Sequence, residues 1–106
     1  MKFLTFTIYN INNLGEIVKA SDQIVKSPPA GYKIEALYSC LTNPFPGLQL
    51  PAGSIVTVGV LECDNAESMA SVSLQYMFAG AESVMRIPVI DVTPGGSMAV
   101  VEKLKN

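Results

Sequence analysis

The chain predicts an α+β domain in which four strands and two helices follow one another as βαββαβ. Three observations predict it. Phe3–Tyr9 alternates large and hydroxyl-bearing residues at period two, as a strand does. Two later segments space apolar residues at helical period behind capping residues. Ser54–Cys63 is nearly all apolar or small between Ile55 and Leu61, the profile of a central strand.

Asn12 and Asn13 break the first strand, and Asn13 with Glu16 reads as a capping box. Leu14, Ile17, Val18, Ser21, Ile24 and Val25 then share one helix face, with Lys19, Asp22, Gln23 and Lys26 on the other. Pro28 and Pro29 end that helix. Tyr32–Leu41 is the second strand, and residues 43–53 form a long connection rich in proline. Phe45, Leu48 and Leu50 in it suit a lid over a cavity, an arm grasping a neighbouring copy, or a loop packed back on its own hairpin. After the third strand, Asp64 with Glu67 or Asn65 with Ser68 caps a second helix. Its stripe is Ala66, Met69, Ala70, Ser73, Tyr76, Met77 and Gly80. Val84–Val92 is the fourth strand. Pro88 within it removes a ladder donor and places it at an edge. Thr93, Pro94, Gly95 and Gly96 turn the chain into a tail. The domain therefore spans residues 1–92, and residues 93–106 receive no assignment.

Right-handed crossovers order these strands 4-1-3-2 in one antiparallel sheet. One face then carries Leu4, Phe6, Ile8, Ile34, Ala36, Val56, Val58, Val60, Met85, Ile87 and Val89, and the two helices are expected to cover it. The other carries Phe3, Thr5, Thr7, Tyr9, Leu37, Ile55, Thr57, Gly59 and Leu61, joined by Lys33, Glu35, Ser39 and Arg86. Two helices cannot cover both faces, and monomers rarely leave so much apolar surface in water. Only 15% of the residues are charged, little with which to cover such a surface. A homodimer or higher homo-oligomer is expected, a second copy lying across the mixed face.

The arrangement resembles ferredoxin-like βαββαβ proteins that pair sheet to sheet as dimeric α/β barrels. Muconolactone isomerase-like, stress-responsive barrel and antibiotic-biosynthesis-monooxygenase-type proteins share that architecture. The resemblance covers residues 1–92 and rests on element order and facing. It implies a cavity between the sheets that takes a small apolar or aromatic molecule. The residues expected to line it are Thr7, Tyr9, Glu35, Thr57 and Arg86, with Thr5 and Ser39 beside them.

Arg86 is the one arginine of the chain. It reads either as an anion anchor or as an edge-strand residue reaching solvent or a partner. Glu35 lies on the opposite edge strand, about 14 Å away at ~4.8 Å per strand, so only a two-fold partner would bring the two together. Gly59 marks a close approach of backbone or a tight packing site.

What is absent narrows the chemistry. Without histidine there is no Ser-His or Cys-His nucleophile pair and no histidine-ligated haem. Two cysteines alone make a zinc site improbable, and their register sets them ~26 Å apart, far beyond a disulfide. No cofactor and no metal is expected, and no catalytic residue is identified. A net charge of −2 with scattered basic residues argues against nucleic acid. No apolar run spans a bilayer, and a strand explains the N-terminal segment better than a secretion signal does, so a cytoplasmic location is expected. Three functions fit: a small-molecule binder, a small cofactor-free isomerase, lyase or monooxygenase, or a purely structural oligomerisation module.

Overall fold

A computed structural model describes residues 1–93 and 95–105. Along the chain lie β1 (Lys2–Asn10), α1 (Leu14–Lys26), β2 (Tyr32–Ser39), β3 (Ser54–Cys63), α2 (Ala66–Phe78), β4 (Ala81–Val89) and α3 (Gly96–Lys105). The strands form one antiparallel sheet of order β2-β3-β1-β4. Pro88 sits on the edge strand β4, where a missing amide costs least. The segment left unassigned holds α3, and Pro94, read as part of the turn before it, lies outside the described residues.

Local chemistry sets the boundaries. Asn10 takes the amide of Asn12 on its side-chain oxygen at 2.9 Å and starts a 3-10 turn, Ile11–Asn13. That turn runs directly into α1, so Asn13, expected to cap α1, makes no side-chain cap. At α2 the Asn65 side-chain oxygen accepts the amides of Glu67 at 3.0 Å and Ser68 at 3.2 Å. Asn65→Ala is expected to cost about 1 kcal/mol, read as a drop in Tm of about 4–8 °C. Gly80, at φ 108°, ends the reversal after α2. The chain therefore enters β4 at Ala81 rather than at Val84, and leaves it at Val89 rather than Val92. β2 is likewise shorter than expected, ending at Ser39.

The helices cover the face opposite to the one expected. Tyr9, Tyr32, Leu61 and Cys63 from the sheet pack with Ile17 and Ile24 of α1 and with Val72 and Tyr76 of α2. The register puts Phe3, Thr5, Thr7, Thr57, Gly59, Val84 and Arg86 on this same side. The fully apolar face of Leu4, Phe6, Val58, Val60, Met85 and Ile87 is the one left without helices. The cause is that apolar content did not distinguish the two sides. The hand of the crossovers chooses the side, and the helices bring hydroxyls that match the polar groups of the mixed face. Ser21 of α1 and Tyr76 of α2 share a hydrogen bond of 2.9 Å beneath the helices, and Ser73 reaches Arg86.

One bulge adds to the difference. The register of β2 on β3 shifts between Ile34 and Ala36, so Ile34 faces Leu61 while Ala36 faces Val60. Glu35 is the extra residue, and Ile34, expected with Ala36, moves to the helix side.

The open face is ordered as two rows across the sheet. Ile87, Leu4, Val60 and Ala36 make one; Met85, Phe6, Val58 and Tyr38 make the next. The connection after β2 folds back over the far end, with the Phe45 ring edge-on to Phe6 at 5.1 Å, and Ile8 and Val56 are buried there. The connection thus packs on the sheet of its own chain, with Phe45 against β1.

α3 makes at most slight contact with the other elements. Met98, Val101 and Leu104, spaced on one side of it, are exposed. The radius of gyration is 15.5 Å, against roughly 13 Å for a compact domain of this length. Both cysteines are free. Cys63 faces Tyr32, whereas the Cys40 amide bonds Val56 at the other end of the hairpin.

Candidate functional site

The strongest polar cluster lies between the sheet and the helices, around Arg86. β4 places Arg86 opposite Thr5 of β1, and Thr5 faces Gly59 of β3. One residue pair along, Thr7 faces Thr57. Three threonines thus share one side of the sheet with Arg86 because the alternation of β1 and β3 places them there. α2 closes the cluster from above with Ser73 and Tyr76.

The Arg86 Nε donates to Ser73 Oγ at 2.9 Å, and its Nη1 donates to the Tyr32 hydroxyl at 3.3 Å. The guanidinium carbon also lies 5.9 Å from the Tyr32 ring centre, within reach of a cation–π attraction. Nη2 is buried and has no hydrogen-bond partner. Among the described residues no carboxylate pairs with Arg86. Burial pushes the Tyr32 hydroxyl above its ordinary range, and the Arg86 charge only partly offsets that. Tyr32 is therefore neutral at physiological pH and does not balance the guanidinium. The sign follows: a raised tyrosine pKa favours the folded state below the ordinary tyrosine range and loses that advantage as pH climbs through the raised value.

A cavity of about 20 Å3 lies in this cluster, lined by Thr5, Thr7, Thr57, Gly59, Tyr76 and Arg86 among others. Gly59 keeps it open. A Cβ there would stand 2.9 Å from Thr5 Oγ1 and 3.0 Å from Leu37 Cδ2. Gly59→Ala is expected to cost ~1–3 kcal/mol by overpacking, measured as a fall in the urea midpoint. An unchanged midpoint would show that the threonine and leucine can give way.

The five candidate residues do not share one cavity. Thr7, Thr57 and Arg86 line the small one under the helices. Tyr9 is buried in the apolar core beside it. Glu35, bulged out of β2, turns to the other side and pairs with Lys2 at 3.5 Å. Sequence reasoning missed Tyr32 and Ser73 as partners of Arg86. Ser73 and Tyr76 at helical spacing on a stripe of small residues was the one available signal.

A second concavity, a broad groove of about 700 Å3, runs beneath the folded-back connection, lined by Cys40, Phe45, Leu48 and Val56 among others. Among the described residues no group of three or more histidine, cysteine or acidic side chains is placed to hold a metal. No helix among them is long and apolar enough to cross a membrane.

No family model matches the chain, and no curated protein matches it. The muconolactone isomerase-like resemblance thus gains no support. Among solved structures the fold is similar to the solution structure of the C-terminal domain of the MgtC protein from Mycobacterium tuberculosis. The TM-score is 0.57, with 8% identity over 80% of this chain and 83% of that one. A likeness at that identity carries the fold alone: this is a small α+β domain of the same build.

Proposed function

We propose that this chain is a self-associating module, two copies meeting through the helix-free faces of their sheets. One observation carries the reading. The two central rows of that face, Ile87-Leu4-Val60-Ala36 and Met85-Phe6-Val58-Tyr38, contain no charge. Lys2, Lys33 and Glu62 lie beyond one end and Glu35 beside them, so an apolar centre has a polar rim, as interfaces do.

The area supports a second copy as the occupant. Four strands at ~4.8 Å and about nine residues at ~3.3 Å make a face of roughly 570 Å2 in projection, part of which the connection after β2 covers at its far end. An α3 of 15 Å length contributes on the order of 150 Å2 more if its exposed stripe docks too. A stable interface needs about 800 Å2 per partner, which a corrugated face of this size approaches. The ferredoxin-like βαββαβ reading is supported by the strand order, which from the other edge is β4-β1-β3-β2.

A dry contact suits these residues better than a ligand chamber or an enzyme site. The hydroxyls and the guanidinium that were to line an inter-sheet cavity stand on the helix side instead. Sedimentation equilibrium at micromolar concentration tests the reading. Twice the chain mass of 11.3 kDa is expected; the mass of one chain overturns it.

A further inference from the structure

We propose that the cavity beside Arg86 binds a single halide ion, chloride in ordinary solution. Size, charge and donors each point there. At about 20 Å3 the cavity admits one water-sized particle. Phosphate, sulfate and organic carboxylates are too large for it. The guanidinium supplies five N–H donors and no acceptor. Its hydrogen-bonded neighbours, Ser73 and Tyr32, are neutral hydroxyls, and no carboxylate forms an ion pair with it among the described residues. Arg86 is half-buried with its Nη2 shut away from water, so its charge is only partly compensated, and a water molecule would satisfy the free donor without balancing the charge.

Donors for an anion are in place. Arg86 Nη2 is buried and unsatisfied. Thr7 and Thr57 line the cavity, and Thr5 Oγ1 donates only a long 3.5 Å bond to the Gly59 carbonyl, readily given up. Gly59 holds the floor clear, since a methyl there would crowd the Thr5 hydroxyl. The halide occupies the space between these hydroxyls and the guanidinium, beneath α1 and α2, and is independent of what the open face of the sheet does.

The test is a thermal-melting series of the whole chain in sodium chloride, with ionic strength held constant by sodium methanesulfonate, whose anion is too large for the cavity. The Tm is expected to rise about 5–10 °C for each tenfold increase in chloride above the dissociation constant. Arg86→Met, checked for fold by circular dichroism, is expected to melt at one temperature throughout. A second readout needs no variant: crystals soaked in bromide should show an anomalous peak within hydrogen-bond distance of Arg86 and the threonine hydroxyls. Equal melting in chloride and methanesulfonate, or a cavity with no bromide peak, overturns the proposal.

Discussion

Replacing Met85 with lysine is expected to turn the associated protein into monomers. Met85 sits opposite Phe6 in the second apolar row, and Phe6 faces Val58. In a two-fold pairing of sheets, one substitution places two ammonium groups in the apolar centre. Each must shed water without gaining a partner, and the two repel. A penalty of at least ~4 kcal/mol follows from burying such charges, which is about a thousandfold in Kd. In an isolated chain Met85 is half-buried at the sheet surface, where a lysine can reach water with its ammonium, and the cost is about 1 kcal/mol. Sedimentation across a concentration series reads the dissociation, and circular dichroism verifies the fold.

The control is Phe78→Lys, at the end of α2. Phe78 is 89% exposed, on the helix layer and away from the open sheet face. Its replacement is expected to leave the mass unchanged. Should Met85→Lys stay associated while Phe78→Lys dissociates, the helix layer is the interface and the sheet-face reading falls.

The second large effect is in the core. Ile24→Ala is expected to lower stability by ~2–5 kcal/mol, the range for deleting a buried isoleucine side chain. Ile24 is 1% exposed and packs in the cluster that holds Tyr32, Leu61 and Val72. With α1 lying on the sheet, neighbouring residues have few ways to close the space. At about 4–8 °C per kcal/mol, Tm falls by well over 8 °C. Val25, its neighbour, is 56% exposed on the outer side of α1. Val25→Ala should change stability by under about 0.5 kcal/mol. Comparable losses from the two would mean that α1 rests on a different stripe from Ile17 and Ile24.

Helical spacing grouped Ile17, Ile24, Val18 and Val25 on one face. α1 buries Ile17 and Ile24 but leaves Val18 and Val25 largely exposed. The periodicity located the helix, ending at Lys26 before the prolines, but a stripe of six residues is wider than the line of contact. Packing against the sheet and α2, with Ser21 hydrogen-bonded to the Tyr76 hydroxyl, selects within it.

The strands show the same division. Ser54–Cys63 was legible from its apolar run, and the edge place of β4 from Pro88. β4 itself begins three residues early because Gly80 reverses the chain at once. The bulge at Glu35 left no sign in the sequence, yet it carries Glu35 away from the other candidate residues.

Composition and periodicity by themselves determined the α+β class, the four strands, the two long helices and the surplus of apolar surface over what two helices shelter. Those properties are local, set by the alternation of side chains and by where proline, glycine and asparagine interrupt it. Only the tertiary structure decided which side of the sheet the helices take, and with it the surroundings of Arg86. Both sides were apolar enough to be buried. The choice between them came from crossover hand and from hydroxyl partners, Ser73 above all, that meet the sheet only once the chain has folded.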